Sequence, residues 1–380
     1  MKRIYSIFIL FSLLTLLFSC GEDPEIGIGP ITFDIPEIVR GPYLGDVTET
    51  SIVVSWATTD SNDSVVEYAT DDQYVALGNS YDEKIEGPNN VRVHNVTLTG
   101  LQPSTLYHYM VVSGSETSED NTFHTSVDPS EPFTILAYGD SRTLIHDHKA
   151  VVDSMMEHEP RLILDTGDLV SDGRILPLWD VFFFIIRDLI SDVPYYPALG
   201  NHEQNSQFYY DLFHLPKGGG KEDEQWYSFD YGNTHFVCLD SNDIDSSEQL
   251  AWLESDLAQA SGNARWIIVN FHHAVHSSGQ HGSHDDEMSD WIDAFEQYGV
   301  DMVFNGHDHI YERSSNNGIW YIVAGGGGAP LRPVDENPNP YQVYAETSLH
   351  FCKMRISETE IDYEMIRDNG TVGDTMTVTK

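Results

Sequence analysis

Hydrophobic and polar positions alternate along the first third of the chain. Four segments show this alternation with turn-forming residues between them, at 51–56, 64–68, 92–98 and 106–112. A period of two residues is typical of strands that bury one face. We therefore predict that residues 37–127 form a small all-β sandwich.

The pattern changes beyond a Pro-containing linker at 128–132. Apolar runs now alternate with segments whose apolar residues recur at helical spacing. The runs are 133–138, 162–164, 195–199, 266–271 and 302–305, and the helical segments are 145–158, 179–190, 249–257 and 288–297. Strands that alternate with helices indicate an α/β domain with a buried sheet, which we place at 133–380.

The chain begins with two basic residues and an apolar stretch at 4–18, which is too short to span a bilayer of about 30 Å as a helix. The sequence Leu-Phe-Ser-Cys that follows resembles the lipobox of bacterial lipoproteins, whose cysteine is acylated. Residues 1–20 are then a signal peptide and 21–36 an acidic, Pro/Gly-rich tether. We expect an exported protein anchored to the bacterial cell envelope, at the outer membrane or cell surface, by a lipid on Cys20. The alternative is an ordinary cleaved signal with an incidental cysteine.

The chain is strongly acidic, with 61 acidic and 19 basic residues and a formal net charge of −42. Such a surface repels polyphosphate backbones, so no nucleic-acid partner is expected. Small charged substrates can still approach, because charges farther away than about 8 Å are screened. Any anion site must supply its own positive field.

Two further cysteines, Cys238 and Cys352, lie in apolar, strand-like segments. Free Cys is among the most buried residue types, so two buried thiols are predicted. A disulfide between them is the alternative. The pair is not a metal-binding signature.

Five polar clusters follow apolar runs of the second domain. They are GDSR from 139, DTGD from 165, GNHE from 200, HH from 272 and GHDH from 306. Open α/β sheets place their sites at the carboxyl ends of strands, so these side chains are expected to converge. Mixed oxygen and nitrogen ligands suit Zn, Mn or Fe, and a carboxylate can bridge two ions. Glycines before four of the clusters let the backbone turn sharply.

The GHDH cluster places His307 and His309 two residues apart. In an extended segment both rings point to one side, toward one ion or a pair of ions, while Asp308 points away and can orient a neighbour. Taken alone, a polar turn that exposes two histidines to water is the commoner structure. The other four clusters favour the metal site.

In order and spacing, the five clusters resemble the calcineurin-like metallophosphoesterases. The N-terminal domain resembles a fibronectin type III domain, with Trp56 in its core and Tyr107 at a corner, and this combination is most similar to the purple acid phosphatases. Supporting stretches are WYSFD from 226, LDS from 239, QLAWL from 249 and GHDHIYER from 306. The resemblance implies a four-layer α/β domain in which a hydroxide bridging two transition-metal ions, Fe, Zn or Mn, hydrolyses small phosphate monoesters.

The resemblance also implies residue roles, assigned to matching positions. Asp140 and His309 would hold the first ion, Asp168 would bridge, and Asn201, His272 and His307 would hold the second. The roles outside the ligand set are a general acid or transition-state donor at His202, a substrate-side histidine at His281 and a phosphate clamp at Arg142. For Arg142, a surface ion pair is the alternative.

Two positions depart from the family pattern. Arg142 stands where many superfamily members have His, and Ser171 stands where the purple enzymes have Tyr. The first ion is therefore one ligand short, and no purple charge-transfer colour is expected. His148 or His146 could fill the gap, although a solvated helix histidine is the commoner structure.

Two other functions remain open on the sequence. A wider pocket around the same metal centre would make the chain a phosphodiesterase. A degenerate catalytic domain would leave a surface binding protein, although all six inferred ligands are present. The sandwich is expected to lie beside the active-site edge.

Overall fold

Residues 38–380 are described by the computed structural model. The predicted signal peptide with Cys20 and the tether to residue 36 lie outside the described residues. Within 38–380, every helix is too short or too polar to cross a lipid bilayer.

The N-terminal strands form two sheets, as the alternating pattern predicts. The strands are β1 (Ile38–Gly45), β2 (Ser51–Asn62), β3 (Val65–Thr70), β4 (Glu83–Glu86), β5 (Val91–Thr99), β6 (Leu106–Ser113), β7 (Glu116–Thr117) and β8 (Asn121–His124), with helix α1 (Asp71–Ala76) after β3. One sheet has the order β1-β2-β5 and the other β4-β3-β6-β7, with β8 also paired to β6. Trp56 is fully buried in the core, and the Tyr107 hydroxyl accepts the backbone N–H of Gln102 at 2.8 Å, which is the predicted corner.

The second domain contains thirteen strands and five α-helices among the described residues. The strands are β9 (Phe133–Tyr138), β10 (Leu162–Asp165), β11 (Tyr195–Pro197), β12 (Tyr227–Tyr231), β13 (Thr234–Cys238), β14 (Trp266–Asn270), β15 (Met302–Asn305), β16 (Tyr311–Asn316), β17 (Ile319–Ala324), β18 (Gln342–Glu346), β19 (His350–Ile356), β20 (Glu360–Arg367) and β21 (Val372–Thr379). The helices are α2 (Ile145–Met155), α3 (Leu176–Ile190), α4 (Gln207–Leu212), α5 (Ser247–Ala260) and α6 (Ser289–Tyr298).

These strands form two sheets with a shared core. One sheet has the order β11-β10-β9-β19-β20-β21 and the other β12-β13-β14-β15-β17-β16-β18. Strand β14 shows how the layers are built. Ile268 lies in the core that also contains Ile135 and Met354 of the first sheet, while Val269 packs with Leu253 of α5 on the outer side. With α2 and α3 outside the first sheet, the domain has the predicted four layers.

The strands that precede the five clusters are parallel to their neighbours. Strands β9, β10 and β11 are parallel in one sheet, and β13, β14, β15 and β17 are parallel in the other. The side chain of Asn270 donates to the carbonyl of Asp165 across the two sheets at 2.9 Å. The carboxyl ends of both sets of strands therefore meet, and the polar side chains that follow them lie at one edge. Cys238 and Cys352 are buried free thiols, as predicted.

The sandwich packs on the α/β domain through tyrosine hydroxyls. Tyr109 donates to the carbonyl of Ser191 at 2.6 Å, just after α3, and Tyr196 in β11 accepts the backbone N–H of Val47 at 2.9 Å. Tyr43 donates to the carbonyl of Leu212 at the end of α4. These contacts fix the sandwich against α3, β11 and α4, and its influence on substrate entry stays a prediction.

Candidate metal centre

Three of the predicted ligands have left-handed backbone conformations. The φ angles of Asp140, Asp168 and His307 are 55°, 60° and 69°, and each residue lies two or three positions after a parallel strand. Residues other than Gly seldom adopt this conformation, and such strain concentrates at functional sites. The fold therefore holds these three side chains in defined positions at the cost of local strain.

The glycines before the ligands serve mainly to let the backbone pass close to the carboxylates of the centre. Of the four that were predicted to let the backbone turn sharply, only Gly167 has a positive φ, of 97°. A Cβ atom on Gly200 would lie 2.2 Å from Oδ1 of Asp168, and one on Gly306 would lie 2.4 Å from Oδ2 of Asp140. Any side chain at these two positions would displace a carboxylate of the centre.

Four predicted ligands of the second ion converge around Nε2 of His272. This nitrogen lies 3.0 Å from Oδ1 of Asn201, 3.2 Å from Nδ1 of His307 and 3.5 Å from Oδ1 of Asp168. An ion bound tetrahedrally at about 2.1 Å has ligand atoms roughly 3.4 Å apart. The three distances from Nε2 of His272 are therefore close to the spacing of ligand atoms around one transition-metal ion.

Hydrogen bonds at the outer ring nitrogens set the histidine tautomers. Nδ1 of His272 contacts the carbonyl of Thr166 at 2.9 Å, and Nδ1 of His309 contacts the carbonyl of Pro330 at 2.8 Å. A carbonyl only accepts, so both Nδ1 atoms carry hydrogen and both Nε2 lone pairs face the centre. Burial and the neighbouring imidazoles lower the pKa of His307 well below its usual value, so this ring is also neutral.

The buried carboxylate of Asp140 has one oxygen with no hydrogen-bond partner among the described residues. Oδ2 accepts the backbone N–H of His307 at 2.8 Å, whereas Oδ1 is orphaned and lies 3.5 Å from Nε2 of His309. Ligand atoms of Asp140, Asp168 and His272 all lie within 4.8 Å of one another. An unpartnered buried oxygen is rare, and a cation is the partner that this donor set would hold.

Arg142 lies inside the cluster. Its Nε donates to Oδ2 of Asp168 at 3.0 Å, its Nη2 lies 3.4 Å from Nε2 of His309, and its side chain is 13% exposed. This ion pair with Asp168 is largely buried, unlike the surface ion pair of the alternative, and the role of phosphate clamp stays a prediction. Burial raises the pKa of Asp168, but the backbone N–H of His202 that it accepts and the positive charge around it, including Arg142, outweigh burial and hold the pKa below its usual range.

The structure contradicts the hypothesis that His148 completes the first metal site. The ring is fully buried in α2, lies between the rings of Tyr138 and Phe182, and its Nε2 lies 3.3 Å from the Tyr138 hydroxyl. Burial lowers the pKa of His148 to about 3, so the ring is neutral, and because it is buried it is not the solvated helix histidine of the alternative. His146 is exposed on the same helix.

Residues 306–310 form a turn, and the predicted extended geometry is wrong. The N–H of Asp308 donates to the carbonyl of Gly306 at 2.8 Å, and the N–H of Ile310 donates to that of Asp308 at the same distance. His307 and His309 face the centre because of the positive φ of His307, and not because alternate residues share a strand face.

His202 and His281, two of the three residues predicted outside the ligand set, lie beside the cluster of ligands. Nδ1 of His202 contacts the carbonyl of Ser171 at 2.8 Å, which directs Nε2 toward Asp168, 3.9 Å from Oδ2. The ring of His281 packs against that of His307 with centroids 4.0 Å apart. Both imidazoles thus border the predicted ligands, and their roles toward a substrate stay predictions.

Asp308 has the orienting role that the sequence predicted. It is fully buried and accepts from the Ser277 hydroxyl at 2.5 Å and from the backbone N–H of His281 at 2.9 Å. These bonds fix the 277–281 loop over the GHDH turn, so His281 is held against this turn.

Sequence reasoning missed two residues. Glu203 is fully buried and accepts backbone N–H groups from Asp168, Val170 and Gly200 at 2.9, 3.2 and 2.8 Å. Its place in the GNHE cluster was a usable signal. Arg332 hydrogen-bonds Nε2 of His281, and no pattern in the sequence marked it.

Three family models match the chain. Calcineurin-like phosphoesterase matches residues 133–311, the purple acid phosphatase N-terminal domain matches 42–125, and the iron/zinc purple acid phosphatase-like protein C model matches 318–375. Together they span both domains of the described structure.

Individual proteins are similar to the chain over much of its length. Purple acid phosphatase 18 of Arabidopsis thaliana is 30% identical over 344 residues, which cover 83% of this chain and 77% of that protein. Purple acid phosphatase 15 of the same organism is 30% identical over 287 residues, which cover 62% of this chain and 53% of that protein, so the match spans about half of that relative. The structure of purple acid phosphatase PPD1 from yellow lupin seeds has the same fold, with a TM-score of 0.76 and 20% identity over 90% of this chain and 74% of that one.

Proposed function

The chain belongs to the purple acid phosphatase family of calcineurin-like phosphoesterases, and on that basis we propose that it hydrolyses small phosphate monoesters with a bound transition metal. The observation that supports this most directly is the convergence of Asp168, Asn201, His272 and His307 at ligand spacing. These residues belong to the site predicted for the second ion. In the family pattern, the first ion would share Asp168 and be held by Asp140 and His309.

The metal would supply Lewis-acid chemistry, polarising a phosphoryl oxygen and lowering the pKa of water to about 7. The chain's own residues hold and orient the substrate. His202 is fixed through Nδ1 by the Ser171 carbonyl, so its Nε2–H, when protonated, can donate to the leaving oxygen. Asp168 is held by Glu203 and remains a carboxylate, as its lowered pKa requires.

Positive side chains at this edge favour a monoester. Arg142 lies in the cluster, and Arg332 lies beside His281 on the substrate side. A monoester dianion carries two negative charges where a diester carries one, so two guanidinium groups match the monoester better. The protein has a net charge of −42, so an anionic substrate needs a local positive field, and the two guanidinium groups supply one.

The test compares metal content with turnover. Purified protein is assayed for bound metal by mass spectrometry and for hydrolysis of p-nitrophenyl phosphate and bis(p-nitrophenyl) phosphate, with Asp168→Ala as the inactive control. We expect bound transition metal, preference for the monoester and loss of turnover in the variant. Preference for the diester would show that the protein is a phosphodiesterase and not a phosphomonoesterase. Metal-free protein without turnover would indicate a surface binding protein instead.

We also propose that a lipid on Cys20 anchors the protein to the bacterial cell envelope, at the outer membrane or cell surface. The support is the sequence pattern alone, an apolar stretch that ends at the cysteine before an acidic tether. Wild-type protein should label with radioactive palmitate and sediment with membranes. Cys20→Ser should lose the label, and equal labelling of the two proteins would exclude the anchor.

A further inference from the structure

We propose that the guanidinium of Arg142 takes the place of the first metal ion, so that each chain holds one transition metal and one fixed organic cation. The inference rests on the proposed function, because it concerns the same site. It departs from the two-ion centre that the family pattern implies.

Both polar contacts of Arg142 within the centre use atoms that the first ion would need. Nε donates to Oδ2 of Asp168, the carboxylate that would bridge the ions, at 3.0 Å. Nη2 lies 3.4 Å from Nε2 of His309. Because Nδ1 of His309 donates its hydrogen to the Pro330 carbonyl, the Nε2 lone pair is the only acceptor on that ring. That lone pair can serve the guanidinium or an ion, but not both.

The remaining ligands of the first site are too few. Ser171 replaces the family's tyrosine, its side chain is exposed, and its carbonyl is occupied by His202. Arg142 contacts both Asp168 and His309. Among the predicted ligand atoms of the first site, this leaves only Oδ1 of Asp140 without a partner. Transition-metal sites such as those of zinc typically use three or four protein ligands.

The orphaned oxygen is compatible with a single ion. A ligand atom of Asp140 lies within 4.8 Å of ligand atoms of both Asp168 and His272, which belong to the second site. Asp140 could therefore contribute its free oxygen to the same ion as Asp168 and His272. The second site thus keeps its four converging ligand atoms and gains a neighbouring carboxylate.

Charge balance also favours one ion. Two carboxylates, Asp140 and Asp168, against one divalent ion and Arg142 leave one net positive charge, which suits an anionic substrate. Two divalent ions together with Arg142 would leave three positive charges in a site that burial shields from water. Arg142 then serves as the fixed cation that binds phosphoryl oxygens through its remaining N–H groups.

The experiment measures metal per chain in the full-length protein after dialysis against trace metal. Wild type should hold one ion. Arg142→His removes the guanidinium and adds a ligand, so its content should rise to two. His309→Ala should leave one ion, because Nε2 of His309 contacts Arg142 and is not among the four converging ligand atoms of the second site, whereas His307→Ala should reduce the content below one. Arg332→Gln removes the neighbouring guanidinium that touches no ligand atom, and this matched control should keep one ion.

Electron paramagnetic resonance gives a second measurement that needs no variant. Wild type saturated with Mn²⁺ and then freed of unbound ion should show the spectrum of an isolated bound ion, and Arg142→His treated in the same way should show exchange coupling between neighbouring ions. Two ions or a coupled spectrum in wild type, or a fall from two ions to one in His309→Ala, would overturn the inference and leave the proposed hydrolysis intact. Metal-free wild type without turnover would overturn both.

Discussion

The carboxylate of Glu203 accepts the backbone N–H of Asp168 at 2.9 Å, through the same oxygen that accepts the N–H of Gly200 at 2.8 Å. The other oxygen accepts the N–H of Val170 at 3.2 Å. One buried side chain thus joins the loop after β10 to the loop after β11. It fixes the backbone of Asp168, whose φ of 60° would otherwise relax.

Glu203→Gln should weaken metal binding without removing a ligand. The amide keeps one acceptor oxygen but directs an NH₂ group at a backbone N–H, so Asp168 loses part of its support. Residues that orient ligands typically change metal affinity about 10- to 100-fold. Titration of Zn²⁺ against a competing chelator measures this change.

A buried carboxylate on the opposite edge provides the matched control for Glu203. Asp301 is 8% exposed and accepts the N–H of Ile267 at 2.9 Å, at the start of β14. Asp301→Asn should cost stability but leave zinc affinity unchanged. Equal affinity losses in both variants would show that Glu203 acts only through overall stability.

His202→Ala should slow the reaction according to the leaving group. Loss of a general acid typically costs about 10²- to 10⁴-fold in kcat, and the loss is greatest when the leaving alkoxide most needs a proton. The variant should therefore lose far more activity on an alkyl phosphate than on p-nitrophenyl phosphate. Steady-state kinetics on both substrates, with metal content measured in parallel, checks this prediction.

Added imidazole distinguishes proton donation by His202 from a structural role. If the missing ring only donates a proton, imidazole should restore part of the alkyl phosphatase activity, with a dependence on the concentration of imidazolium. A uniform loss on both substrates with no rescue would contradict the role of general acid.

The sequence predicted the fold well because its patterns are local. Period-two alternation marked the sandwich, and helical spacing at 179–190 marked the core of α3. The clusters converged because strands β9, β10, β11, β14 and β15 have parallel neighbours, a regularity that sequence order alone suggests.

Side-chain directions could not be predicted in the same way. His148 and Arg142 lie only six residues apart, yet one enters an aromatic core and the other enters the metal centre. The direction of His307 depends on a positive φ that GHDH does not specify. Such outcomes follow from contacts between distant segments, which neither spacing nor composition encodes.

Tyr107→Phe should destabilise the sandwich by about 1–1.5 kcal/mol, the net contribution of a partly buried hydrogen bond. The hydroxyl accepts the N–H of Gln102, while the ring stacks on Phe123 at 5.1 Å and would be retained in the variant. Urea denaturation measures the loss. Tyr81→Phe, which removes an exposed hydrogen bond to Asp120, is the control and should change stability by less than about 1 kcal/mol. Equal losses of stability in the two variants would show that the hydrogen bond from Gln102 to Tyr107 makes no special contribution to the stability of the sandwich.

His235 should make stability depend on pH in the alkaline range. The ring is 8% exposed and contacts Asp230 at 2.7 Å and Asp256 at 2.9 Å, beside a cavity of about 940 Å³ far from the metal centre. Burial alone would lower its pKa, but hydrogen bonds to the two carboxylates outweigh burial and raise the pKa to about 9. A raised pKa contributes stability that is fully present below the unfolded value of about 6.5 and is lost as pH rises through 9.

His235→Gln should therefore lower the free energy of unfolding by about 2–3 kcal/mol at pH 6 and by much less at pH 10. Urea denaturation in chelator, which removes any metal contribution, checks the difference at both pH values. His94 is the matched control, because it is fully buried against the hydroxyls of Thr58 and Ser64, and burial lowers its pKa. A neutral buried histidine loses its contribution as pH falls below about 6.5, so the effect of His94→Gln should shrink on acidification, opposite in sign to His235. If both variants show the same loss at every pH, the ring of His235 is neutral and its contacts with Asp230 and Asp256 are ordinary hydrogen bonds.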